Sequence, residues 1–226
     1  MHVILVHGVF DDGANLRDLE QALTAAGHTC WLPVLRPADG RLGILDLAEK
    51  LAAYIETHLP REAEIAFVGF SMGCLVARVY LQLLGGHART RAFFSISGPH
   101  KGTLIAYLYF GRGARDMRPG SVLLRILDAT QAALEGIALF AYWTPFDVSV
   151  LPGWSGDWRL ASESLRTRVL LHPLMPKDQG VCAHIVGKLD LLARERPSLS
   201  VSGPDRPLAA GPGRASRSSP RGAVPN

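Results

Sequence analysis

Residues 65–74 run Ile-Ala-Phe-Val-Gly-Phe-Ser-Met-Gly-Cys, and the chemistry this stretch could do centres on Ser71. A serine hydroxyl is a poor nucleophile until it stands exposed on a sharp turn, beside a base and a site for a developing oxyanion. The apolar run 65–68 reads as a buried strand and 75–81 as a helix, which places Ser71 at a strand-to-helix turn. Such a turn strains the serine backbone and presses strand against helix, so the residues two before and two after it must be small. Gly69 and Gly73 satisfy that demand. A helix opening here would aim its free N-terminal amides, Met72 N–H among them, at the place where negative charge forms.

Two other strands run into turn-rich loops. Val3-Ile4-Leu5-Val6 reads as a buried parallel strand and continues as His7-Gly8-Val9-Phe10. Phe93-Phe94-Ser95-Ile96 is followed by Ser97-Gly98-Pro99-His100-Lys101-Gly102-Thr103. Together with Gly-Phe-Ser-Met-Gly and Tyr142-Trp143-Thr144-Pro145-Phe146-Asp147, these motifs resemble the small bacterial lipases and esterases of the α/β-hydrolase superfamily, over about residues 2–192. The resemblance implies an α/β-hydrolase fold: a mostly parallel six-stranded sheet with helices on both faces and a short cap or lid insertion. It places half of an oxyanion hole after the His-Gly strand, with the Val9 amide as donor, Phe10 second, and Met72 opposite. One such donor is worth about 3 to 4 kcal/mol of transition-state stabilisation. His7 itself reads as a residue that fixes the loop rather than one that carries a proton.

The resemblance also implies a serine, acid, histidine triad in that chain order. Residues 137–143 are of strand type, and Thr144-Pro145 ends them just before Asp147. Asp147 is therefore the expected acid, with Asp157 the alternative, presented by the turn at 152–156; Asp116 and Asp128 fall in the preceding cap-like segment. Arg168-Val169-Leu170-Leu171 reads as the last strand, and His172 at its end is the expected base. His184 falls within the final helix pattern, and His100 precedes the acid, the wrong order for this fold. His2, His28, His58 and His87 have no such placement, and no His, Cys and Asp cluster shows metal-ligand spacing. The implied chemistry is acyl transfer to water through an acyl-enzyme on Ser71.

The elements that must hold these residues alternate as a doubly wound sheet requires. Strands are expected at about 2–6, 29–34, 65–69, 91–97, 137–143 and 167–171, all parallel, and helices at about 15–26, 43–59, 71–84, 121–134 and 178–192. The chain starts directly at the His-Gly strand, so the antiparallel hairpin of larger family members is expected to be missing. Residues 1–195 are expected to form one catalytic domain with a cap-like insertion at 103–136, and 196–226, rich in Pro, Ser and Arg, to be a disordered tail. The net charge of +4 resides in that tail, since residues 1–195 balance at 19 basic and 19 acidic side chains. A basic nucleic-acid groove on the folded domain is thereby excluded.

Leu104-Ile105-Ala106-Tyr107-Leu108-Tyr109-Phe110 is unusually apolar for an insertion. It reads equally as an acyl-binding wall or small lid and as core packing. Phe10, Tyr107 and Phe110 are the expected substrate contacts. No run approaches the roughly 18 apolar residues of a membrane span, whereas transient contact with a lipid interface is compatible with the sequence. Without a charged leader the chain as written is expected in the cytoplasm, and outside the cell if the true start lies upstream. Cys30, Cys74 and Cys182 suggest no disulfide framework, and Cys74 stands where the resembled family most often has glycine. The leading expectation is a serine carboxylic-ester hydrolase acting on an acyl-ester or lipid small molecule. An acyltransferase or thioesterase with the same triad is the second, and a catalytically silent binding module the third. No cofactor is implied, and although some relatives carry a structural calcium, no oxygen-ligand cage stands in the sequence. Hydrolysis assayed in excess chelator should match the untreated rate; a sharp loss restored by calcium would refute this.

Overall fold

Val3, Ile4, Leu5 and Val6 are all fully buried, which a strand achieves only when both faces of its sheet are covered. The computed structural model describes residues 1–195, and the tail expected at 196–226 lies outside them. β1 (His2–Val6) is joined by β2 (Thr29–Trp31), β3 (Ile65–Phe70), β4 (Thr90–Ile96), β5 (Ala138–Trp143) and β6 (Glu163–Arg166) in one sheet. The order is β2-β1-β3-β4-β5-β6, and every neighbouring pair is parallel. The helices are α1 (Arg17–Ala25), α2 (Ile44–His58), α3 (Met72–Leu83), α4 (Arg112–Asp116), α5 (Val122–Ala129) and α6 (Gln179–Arg194).

Strand alternation sorts the core into two layers. Ile4, Val6, Phe67 and Phe93 pack on one face with α2, α3 and α5, whereas Val3, Leu5, Val68 and Phe94 pack on the other with α1 and α6. Each fully buried aliphatic or aromatic side chain is worth about 1.5 to 3 kcal/mol, so both layers are needed to hold the sheet. No helix among the described residues is long and apolar enough to cross a membrane.

β1 and β3 are neighbours, yet the loop after β1 leads to α1 on one face and the turn after β3 leads to α3 on the other. Diverging loops leave a crevice at the carboxyl edge of the sheet, the usual ligand site in open α/β sheets. Ser71 and the Gly8-Val9 loop both open onto it. The register that pairs Val6 with Gly69 brings the two strand ends level. α3 then leaves the sheet so steeply that a Cβ on Gly73 would lie 2.1 Å from the Val6 carbonyl oxygen and 2.6 Å from that of His7. A Cβ on Gly69 would lie 2.8 Å from Cys74 Cα.

Three expected elements differ. The last strand is Glu163–Arg166, not 167–171. It is an edge strand held by backbone pairing from Phe140↔Glu163 to Trp143↔Arg166, so it needs no apolar run. The Thr167 amide closes the ladder on the Trp143 carbonyl at 2.7 Å, beyond which β5 offers nothing to pair with 168–171. β2 stops at Trp31, ahead of Pro33, which cannot donate to a ladder. The helix expected at 121–134 is α5, capped where the Leu124 amide donates to Ser121 Oγ, followed by a separate 3-10 turn Gln131–Leu134.

The close approach at Gly73 gives a direct test. Gly73→Ala should cost about 1 to 3 kcal/mol or more by overpacking, seen as a lower Tm in thermal unfolding. Gly187→Ala, at an exposed position of α6 with open space around it, should instead raise Tm slightly.

Candidate active site

Ser71 has φ 55° and ψ −123°, a region that costs a non-glycine residue about 1 to 3 kcal/mol. Neighbours hold it there: the Ser71 amide donates to the Ile96 carbonyl at 2.9 Å, and the Cys74 amide donates to the Ser71 carbonyl at 3.0 Å. Gly8 passes so close that a Cβ would stand 3.2 Å from Ser71 Cβ. A side chain there would press on Ser71, and glycine lets the β1 loop come this near.

The structure brings Asp147 and His172 together across 25 residues of chain, with His172 Nδ1–H donating to Asp147 Oδ2 at 2.7 Å. The other carboxylate oxygen accepts the amides of Ser149 and Val150 at 2.9 and 3.0 Å. Burial alone would push this carboxyl up, but the hydrogen bond and charge of His172, with the Val150 and Ser149 amides, outweigh it and lower the pKa. Thr144, fully buried, donates its hydroxyl to the Val169 carbonyl at 2.8 Å and ties the end of β5 to the loop that carries His172. His172 opens a 3-10 turn, His172–Lys177, on that loop rather than ending a strand. Phe70 packs against its ring at 4.8 Å between centroids. With Nδ1 donating to Asp147, Nε2 carries the lone pair that a serine proton would need. Ser71 and His172 line the same cavity with no hydrogen bond between them, a gap that such sites commonly close as substrate binds.

His7 explains the turn of the loop after β1. The Leu35 amide donates to His7 Nε2 at 2.9 Å, so the ring proton sits on Nδ1 and donates to the Gly8 carbonyl at 2.8 Å. In a trans peptide the N–H opposes the carbonyl, so pinning Gly8 O turns the Val9 amide the other way. The Val9 amide has no hydrogen-bond partner among the described residues. The Phe10 amide, the second expected donor, is taken by the Ala38 carbonyl at 2.9 Å. Met72 is the first residue of α3, and its N–H precedes the helix ladder.

The cavity over Ser71 measures about 440 Å³, within the usual range for a small-molecule site. Phe10 and Phe110 are among its walls, but Tyr107 is not; its ring lies 4.7 Å beneath the Arg118 guanidinium, and Tyr109 takes the expected place. Ile105, Met117 and Val150 extend the apolar lining, with Asn15, Asp39 and Ser149 as polar members. Asp157 accepts the Ser164 hydroxyl, and His184, on α6, pairs with Tyr142 and Glu163. His100 is buried behind the elbow, bonded to Ser95. Sequence reasoning missed Thr144 and Thr103; the Thr103 hydroxyl donates to the Ser149 carbonyl at 3.1 Å and anchors the loop that carries Asp147. Among the described residues no group of His, Cys, Asp or Glu converges as metal ligands would.

No protein-family model matches the sequence. Over 104 residues the chain is 30% identical to the lysosomal thioesterase PPT2 of Homo sapiens, covering 44% of this chain and 34% of that protein, and the Bos taurus protein matches equally. The chain thus spans about a third of the length of these curated relatives. Lipase B of Aspergillus fumigatus superposes with a TM-score of 0.70 at 17% identity, over 84% of this chain and 52% of that one. The mature lipase BlEst2 of Bacillus licheniformis gives 0.67 at 14% identity, over 84% and 91%. What is shared at so low an identity is the path of the backbone, and by that path the chain has the α/β-hydrolase fold.

Proposed function

We propose that the protein is a serine carboxylic-ester hydrolase that cleaves apolar acyl esters through an acyl-enzyme. The observation that carries this reading is the 2.7 Å bond between His172 and a buried Asp147, placed on the same cavity as Ser71. In it, Ser71 Oγ attacks the ester carbonyl as His172 Nε2 takes its proton. The developing oxyanion is held by the Val9 and Met72 amides. The protonated His172, oriented and stabilised by Asp147, gives its proton to the leaving alcohol. His172 then draws a proton from water as its oxygen attacks the acyl carbon, and gives that proton to Ser71 Oγ as the acyl–oxygen bond breaks and the acid leaves.

The apolar walls argue for an apolar acyl group, and the 104–110 segment serves as the acyl-binding wall. Phe110, on the cavity wall, is 97% exposed, and Leu104 and Leu108 of the same segment are exposed as well, which suits transient contact with a lipid interface. A thioester is the second reading, favoured by the likeness to the lysosomal thioesterase PPT2. The same atoms serve either donor, because both place an acyl carbon before Ser71.

A p-nitrophenyl ester series from short to long acyl chains, run beside matching acyl thioesters, separates the two by kcat/KM. Ser71→Ala should lose on the order of 10⁴ or more in kcat. Activity that persists in that variant, or none in a well-folded wild type on either series, would sink the proposal.

The Asp147 carboxyl sits below its ordinary value of 3.8, so its bond to His172 adds stability that is complete above that value and lost as pH falls through the lowered one. Asp147→Asn should therefore flatten the acid limb of Tm against pH below about pH 4. The same variant should lower kcat near neutral pH by about 10⁴. An acid limb identical to the wild type would refute the assignment of Asp147.

A further inference from the structure

Behind the elbow lies a buried polar file that acyl transfer does not use. Arg78, on α3, is fully buried. Its Nε donates to Gln82 Oε1 at 3.0 Å and its Nη2 to the Leu127 carbonyl at 3.1 Å, with Asp128 at 3.5 Å, so the guanidinium is moored to α5. Nη1 faces His100 Nδ1 at 3.4 Å, and the His100 ring stacks on Trp158 with centroids 4.3 Å apart. Arginine only donates, so His100 Nδ1 accepts, the ring proton sits on Nε2, and it donates to Ser95 Oγ at 2.7 Å. Burial, with Arg78 and Lys101 beside it, keeps the imidazole neutral.

Ser95 is left with its own proton to give, and the Cys74 thiol lies beside it. A Cβ on Gly98 would fall 2.5 Å from Ser95 Oγ, 2.7 Å from Cys74 Cβ and 2.7 Å from His100 Nε2, so the three groups meet over that glycine. Cys74 Sγ–H in turn donates to the Ile96 carbonyl at 3.5 Å. That carbonyl is the one that accepts the Ser71 amide.

We propose that Arg78, His100 and Ser95 form a one-way hydrogen-bond file moored to α5 which, through the packing of Ser95 beside Cys74 and the Cys74 bond to the Ile96 carbonyl, positions Ser71 in its strained conformation. The inference rests on Ser71 being the nucleophile. None of the four touches substrate; they are positioning residues. A serine at φ 55° stays there only while its surroundings hold it, and the Ile96 carbonyl is one of two direct backbone restraints on it. A buried file with a single allowed sense, packed against Cys74, fixes that carbonyl more firmly than a lone bond, because its members polarise and hold one another. It also makes the seating of α5 felt at the nucleophile. Cys74, where this chain departs from the lipase pattern, supplies the last link.

The test compares full-length wild type with Ser95→Ala, Cys74→Ala, the double variant and Cys74→Ser. Steady-state ester hydrolysis and the rate of fluorophosphonate labelling are both normalised to the folded fraction by circular dichroism. Each single alanine should lower kcat and the labelling rate about fivefold to tenfold, the scale of one lost buried hydrogen bond. KM should move by less than about twofold. The double variant should lose no more than either single, since the file is already cut. Cys74→Ser, which keeps a donor of the same sense, should stay near the wild-type rate. Alanine variants that label at the wild-type rate, or a double loss equal to the product of the singles, or a serine variant no better than Cys74→Ala, would overturn the proposal. If Ser95→Ala fails to fold, the contrast between Cys74→Ala and Cys74→Ser decides alone. Label retained by Ser71→Ala would instead overturn the nucleophile assignment.

Discussion

Carbon is excluded from one spot on this molecule, the space between α3 and the carbonyl oxygens of Val6 and His7, and that exclusion sets the rest. Because Gly73 lets the helix reach those oxygens, the turn at Ser71 can be tight and its N-terminal amides can face the crevice between β1 and β3. The close approach also forces Gly8 against Ser71, so the loop from β1 arrives at the same point from the opposite side. Gly69 at the end of β3, Gly73 at the start of α3 and Gly8 in the loop after β1 thus create the place where the Ser71 side chain and the Val9 and Met72 amides converge. The strain this stores in Ser71 is offset by the two packed layers of the sheet.

The other side chains serve to keep loops from drifting. His7 turns a peptide plane, Thr144 joins the end of β5 to the 169 carbonyl, and Thr103 ties the start of the cap to the loop that carries Asp147. Each is buried and has its polar atoms paired, so none carries the desolvation cost of an unsatisfied group. The cap is held as well: the Arg112 and Gly113 amides donate to the carbonyls of Arg41 and Gly40, and Asp116 accepts the Ile44 amide. Its buried part is scaffold, and Tyr109 and Phe110, both exposed, stand on the wall of the cavity over Ser71.

Much of this was legible because the sequence writes short-range demands directly. The Gly-x-Ser-x-Gly spacing and the His-Gly strand end are local, and β1, β3 and β4 are buried on both faces, so continuous apolar runs mark them. β6 was not legible, because Glu-Ser-Leu-Arg at a sheet edge is specified by its partner's backbone rather than by its own side chains. Tyr107 and Tyr109 could not be told apart, since a run of seven apolar and aromatic residues has no period from which to read a face. The fate of the Phe10 amide depended on Ala38, and the burial of Arg78 on Leu127 and Trp158, contacts made only once the chain has folded. A lone arginine in a helix reads as surface until its carbonyl partner is known.

The position of β6 carries a last consequence. It has four residues, bonds on one side only, and ends just before the loop that bears His172. Edge strands open at a lower free energy than the centre of a sheet. His172 is therefore reached by way of a four-residue edge strand, while Ser71 sits at the end of β3, in the middle of the sheet, so the two sides of the cavity differ in how firmly the sheet holds them.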